Sequence, residues 1–181
     1  MDPAAIISDL TALPQIARQS VSDSLTGEQV SSLTADGDLK QSCGLFVTIH
    51  TLNQRLRGCR GTISGTCPDL IEETRQNALS AAFDDPRFPA LTLDELADIE
   101  FEISVLSDAE PVQDESELDP EIYGIIITSL DGQDQALMLP GIPQLETVEK
   151  QISATRAKAE IVEGAPVQLQ RFRVDKFSEQ D

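Results

Sequence analysis

Cys59 lies between Arg57 and Arg60 in the stretch Leu56-Arg57-Gly58-Cys59-Arg60-Gly61. Neighbouring positive charge favours a thiolate over a thiol, and the thiolate is the form that attacks electrophiles and ligates metals. Gly58 and Gly61 bracket the cysteine, and a residue without Cβ lets backbone approach a ligand closely. Two accounts fit these residues. In the first, Cys59 is a candidate catalytic thiolate, Arg57 and Arg60 are candidate anion binders, and the Gly58 and Gly61 amides cradle the ligand. In the second, Cys59 is a small buried apolar residue. Arg57 then ion-pairs with one of the 32 acidic side chains, and the glycines only permit a bulge or bend.

A nucleophilic thiol needs a base beside it. The only histidine is His50. It lies in an alternating stretch with Leu45, Val47 and Ile49 on one face and Phe46, Thr48 and His50 on the other, which predicts a strand over 44–52. With Asn53-Gln54 as a two-residue turn, 55–63 returns as the partner strand. Leu52 then pairs with Arg55, His50 with Arg57 and Thr48 with Cys59. His50 and Cys59 become diagonal neighbours about 7–8 Å apart between Cα atoms. His50 is thus the candidate base, or else a half-exposed strand residue. No third group is in place to orient it, which argues against a self-contained cysteine hydrolase.

Arg87 enters through Asp85-Pro86-Arg87-Phe88-Pro89, a loop that the two prolines keep out of helix. It is a candidate ligand-binding residue, with a salt bridge as the alternative, while Asp85 is read as a turn cap and Phe88 as a core plug. Tyr123, the single tyrosine, is read as a core residue with a satisfied hydroxyl. Cys43 and Cys67 are read as structural, with Cys67 at a helix start that lowers its pKa modestly. The cysteines are spaced sixteen and eight residues apart, which matches no zinc pattern. No phosphate loop, dinucleotide fingerprint or nucleophile elbow is present, and no cofactor is indicated.

Several elements must position these residues. Residues 3–26 read as helical with Pro14 dividing two segments, and 31–43 as loop. Thr66 and Asp69 have capping-box spacing before a helix running to Ala82, whose inner face is Ile71, Thr74, Ala78 and Ala81. A short helix is expected over 92–96. Residues 99–106 alternate, with Ile99, Phe101, Ile103 and Val105 inward and Glu100, Glu102 and Ser104 outward. An acidic connection over 108–121 precedes an apolar central strand over 123–130. Residues 135–139 pair back onto it. A helix over 146–160 presents Leu145, Val148, Ile152 and Ala159, and 167–174 forms one last strand. This order is not regular βαβ, so the expected class is α+β, a mainly antiparallel sheet flanked by helices.

Charge narrows the function classes. With 13 Lys and Arg against 32 Asp and Glu, the formal net charge is −19. That disfavours nucleic acid and anionic membrane surfaces, which need a basic footprint. The few cations are concentrated at Arg55, Arg57 and Arg60 and at Arg171 and Arg173, which points to an anionic small ligand. No apolar run reaches the about 20 residues of a membrane span. No signal-like start is seen, so reduced thiols and a cytoplasmic location are expected.

The chain resembles the AMMECR1 domain family. The residues that carry the likeness are Leu56-Arg57-Gly58-Cys59-Arg60-Gly61, Asp85-Pro86-Arg87-Phe88-Pro89, Ile103-Ser104-Val105-Leu106, Tyr123-Gly124-Ile125-Ile126 and Leu137-Met138-Leu139-Pro140. Thr147-Val148-Glu149-Lys150-Gln151, leading to Lys158-Ala159, completes them. The likeness spans about residues 40–175, with 1–39 an N-terminal helical segment and loop of one domain over 1–181. The family's hexapeptide usually carries an apolar residue where this chain has Arg60, which would place a second charge beside the thiol. The resemblance implies a larger and a smaller lobe with the hexapeptide near the cleft between them, and a molecular function that is not established. It also implies cooperation with a Memo-like protein and a radical-SAM protein. Two functions are therefore carried forward: a ligand-binding or catalytic cleft around Leu56–Gly61, and a non-catalytic adaptor in which the hexapeptide is structural.

Overall fold

The computed structural model describes residues 5–29 and 32–179. It is α+β with antiparallel sheets, as the element order implied. The chain forms two compact units, Met1–Val105 with Asp175–Asp181, and Leu106–Val174.

The first unit begins with strand β1 (Ala5–Ile7), paired in parallel with β2 (Leu33–Ala35). Both lie where helix and loop were expected; residues 3, 4 and 31 of those expectations fall outside the described residues. Helix α1 (Leu13–Thr26) carries Pro14 in its first turn. There a missing N–H costs no intrahelical bond, so proline starts the helix instead of dividing it. Gly27, at φ 73, ends it in the left-handed conformation.

Strands β3 (Leu45–Thr51) and β4 (Leu56–Thr62) form the hairpin. Leu45, Val47 and Ile49 are fully buried, as the alternation predicts. The turn is longer than two residues: Thr51 N–H donates to the Arg55 carbonyl, and Gln54 adopts φ 59. A left-handed residue closing a three-residue loop brings a bulge with it, and the register shifts between Ile49 and His50. Thr48 still faces Cys59, but His50 faces Leu56, not Arg57. The predicted pairing is therefore right on one side of the bulge and one residue out on the other.

Helix α2 (Leu70–Phe83) packs on this hairpin through Ile71, Thr74, Ala78 and Ala81, all buried. Its N-cap is Asp69, which accepts from Glu72 N–H at 2.9 Å. Thr66 does not complete a capping box; its N–H and hydroxyl go to Glu73. Glu73 is buried and also accepts from Thr62 Oγ1 and Cys67 N–H. Burial pushes its pKa up, but these donors outweigh it and leave the carboxyl below its ordinary range.

A 3₁₀ turn over Leu93–Asp98 leads into β5 (Ile99–Leu106), antiparallel to β3. Ser104 is buried. It pairs with Phe46 on the face of the sheet that the alternation predicts, but that position is covered.

In the second unit, β6 (Glu110–Pro111), β7 (Gly124–Ser129), β8 (Gln135–Met138) and β9 (Val167–Phe172) form an antiparallel sheet ordered β6-β9-β7-β8. The apolar strand β7 is central, as its two apolar faces require. Helix α3 (Val148–Lys158) buries Gln151 and Thr155 fully, with Val148 and Ile152 only partly covered. The expected inner residues Val148, Ile152 and Ala159 pack on this unit's core, and the buried face extends to Gln151, whose Nε2 donates to the Tyr123 carbonyl at 2.9 Å.

The last expected strand is two strands. After Phe172 the chain leaves the second sheet, and β10 (Val174–Ser178) joins the first in the order β10-β5-β3-β4. Arg173 sits at the break, its N–H on Ser107 Oγ and its carbonyl on Ser107 N–H.

Gly58 reports how tightly α2 lies on β4. A Cβ there would stand 2.3 Å from the Ala81 carbonyl oxygen. Gly58→Ala is expected to cost about 1–3 kcal/mol of overpacking, seen as a lower midpoint in thermal unfolding followed by circular dichroism.

Candidate functional site

The site residues rise from β4 and from the loop after α2. Strand β4 is the edge of its sheet. Cys59 pairs with Thr48 of β3, and on an edge strand its N–H can point away from the sheet. That N–H donates to Asp85 Oδ2 at 2.9 Å. Asp85 is 4% exposed. It also accepts from Arg87 N–H at 3.0 Å, Nε at 2.9 Å and Nη2 at 2.7 Å. The Arg87 guanidinium, above all, holds the Asp85 carboxyl well below the usual carboxylate range; burial opposes this, and the Arg87 and Cys59 amides add to it. Asp85 is thus the turn cap the sequence suggested, and an anchor for β4 as well.

The Cys59 side chain is half-buried, with Thr48 Oγ1 3.4 Å from its sulfur. Among the described residues no hydrogen bond joins it to His50. The bulge places His50 opposite Leu56 and Glu100, beside a small depression lined by Gln54, Glu100 and Glu102.

Arg57 forks onto Glu95, at 2.8 and 3.1 Å, and its guanidinium lies 5.9 Å from the centre of the Phe88 ring. Arg87 covers the same ring at 5.5 Å. Phe88 is therefore not a core plug but a half-buried plate contacted by two cations. The Arg57 fork, first of all, pushes Glu95 down to about 2. Arg57 keeps one buried donor, Nη1, with no partner among the described residues.

Arg60 does not stand beside the thiol. Neighbouring strand residues point to opposite faces, and Arg60 pairs across from buried Val47. Its Nη2 reaches the Asp84 carbonyl at 2.6 Å, just past the end of α2, where a cation suits the helix dipole. Gly61 is occupied by packing: a Cβ would meet the Phe46 ring at 2.4 Å.

The structure thus brings Cys59, Arg87 and Asp85 together, joins Arg57 to Arg87 through Phe88, and sets His50 and Arg60 apart. Glu95 was missed as Arg57's partner. Thr92-x-x-Glu95 is a capping box by spacing, but its link to a residue 38 positions away is tertiary. Cys67 departs from its reading too. Burial pushes its thiol up, and nearby Glu73 and Glu72 add to this.

The AMMECR1 family profile matches residues 14–180, and the chain belongs to that family. A protein of Thermotoga maritima is 45% identical over 139 residues, covering 76% of this chain and 79% of its own length. A longer protein of Clostridium acetobutylicum is 36% identical over 171 residues; the match covers 91% of this chain but 35% of that protein. The crystal structure of an uncharacterized protein from Pyrococcus horikoshii superposes with a TM-score of 0.81 at 27% identity, over 93% of this chain and 90% of that one. Among the described residues no helix is long and apolar enough to cross a membrane.

Replacing Asp85 tests the anchor. Asp85→Asn keeps the shape and removes the charge, so it should cost about 1–3 kcal/mol near neutral pH. Because the folded carboxyl titrates below the unfolded one, its contribution is present above about pH 4 and is lost as pH falls. Denaturant midpoints from pH 7 to 3 should therefore fall for the native chain and less for the variant.

Proposed function

We propose that this protein is a non-catalytic binding component, in which the Leu56–Gly61 arm holds a docking shape and supplies no nucleophile. One observation carries this reading: the guanidiniums of the hexapeptide and of Arg87 are engaged by the chain's own acceptors. Arg57 is on Glu95, Arg60 on the Asp84 carbonyl and Arg87 on Asp85. A thiol enzyme needs a base held against its sulfur, and the contact there is Thr48. The resemblance supplies the proposed partners, a Memo-like protein and a radical-SAM protein, acting with this chain in the cytoplasm.

A second reading, a small anionic ligand at Arg57, is favoured by the buried, unpartnered Nη1. A buried donor left unmatched costs about 1–3 kcal/mol, and an anion would satisfy it.

The test uses the full chain with purified Memo-like and radical-SAM proteins from the same organism. Cys59→Ser should leave the dissociation constant of the captured partner within about twofold, a difference near 0.4 kcal/mol. Loss of capture with an unchanged circular dichroism spectrum would sink the docking reading. Protection of Cys59 from maleimide by inorganic phosphate, in the native protein, would instead favour the anion site.

A further inference from the structure

The second unit holds a cavity of about 420 Å³ whose lining includes Asp108, Glu110, Tyr123, Arg171 and Arg173. These side chains divide into a fixed half and an available half. Arg171 is fixed: it donates to Glu110 at 3.2 and 3.3 Å and to the Glu117 carbonyl at 2.6 Å, and lies 4.5 Å from the Tyr123 ring centre. Arg173 is 4.8 Å from the same centre and donates through Nη2 to the Tyr123 hydroxyl oxygen at 2.9 Å. That is the only side-chain hydrogen bond the Arg173 guanidinium makes among the described residues, so its Nε and Nη1 remain open. Because the Tyr123 oxygen accepts from Arg173, the tyrosine's own proton is free to be donated elsewhere. Asp108 lines the same cavity, and among the described residues neither Asp108 nor Arg173 forms an ion pair.

An open cation and an open carboxylate thus share one cavity without meeting. A simple anion would satisfy Arg173 but face Asp108 and Glu110, and a simple cation would meet the reverse. A molecule carrying both charges matches both, and a cavity of this size admits a small metabolite. We propose that this cavity binds a zwitterion of the α-amino-acid class, its carboxylate on Arg173 and the Tyr123 hydroxyl and its ammonium group on Asp108. The two guanidiniums around Tyr123 hold that phenol in place before the ligand arrives, which lowers the ordering cost of binding. The site stands apart from the hexapeptide and does not depend on the docking proposal.

The test is a titration of the full, isotope-labelled chain with each of the common L-amino acids in the millimolar range, followed by amide NMR. At least one should move the Tyr123, Gly124 and Arg173 signals saturably. Its deaminated acid and its decarboxylated amine should each bind about tenfold more weakly, as loss of one charge-assisted contact implies. Arg173→Gln and Asp108→Asn should each weaken it by a similar factor while the rest of the spectrum holds. If no amino acid moves these signals, or if the deaminated acid binds as tightly as its parent, the proposal is overturned.

Discussion

A buried carboxylate has to collect donors or leave the interior, and Asp85 collects four, two of them backbone amides and two from one guanidinium. One of the amides belongs to Cys59, on the outer edge of the hairpin. An edge strand normally offers its unpaired amides to any extended chain, and here the chain's own loop takes one of them. The position of β4, the path of the loop after α2 and the orientation of Arg87 all follow from that one group.

Glu73 does the same at the other end of α2. It takes the Thr62 hydroxyl together with the Thr66 and Cys67 amides, so buried carboxylates hold β4 at Cys59, in its middle, and at Thr62, its last residue. Beside Cys59, Gly58 lets the helix backbone come against the strand. A glycine, an edge cysteine and flanking arginines look like reactive chemistry when written in a line. Folded, the glycine is a contact with a helix, and the arginines are occupied on opposite faces of the strand. What the hexapeptide specifies most directly is a shape.

The strongly acidic composition has a structural counterpart in these carboxylates, which serve as acceptors for backbone N–H groups at Cys59, Thr66, Cys67 and Arg87. The scarce arginines act as plates as often as ion-pair partners: Arg57 and Arg87 on Phe88, Arg171 and Arg173 on Tyr123. With so few aromatic rings in the chain, these contacts give two half-buried rings a fixed place.

By itself the sequence determined what depends on neighbours in the chain. Alternation placed β3 and β5, small residues at helical spacing placed the buried face of α2, and two apolar faces put β7 at the centre of its sheet. These are legible because burial is periodic along a strand or a helix. Tertiary structure decided the rest. The bulge at Ile49 and His50 came from a left-handed Gln54 that no turn motif announced, and it moved His50 out of register with Arg57. The break at Arg173 passes the chain from one sheet to the other, and Gln151 of α3 is buried on the Tyr123 carbonyl, just before β7. Above all, the acceptors for Arg57 and Arg60 lay far along the chain, at Glu95 and the Asp84 carbonyl, and a sequence records which charges exist but not which of them fold to within hydrogen-bond reach.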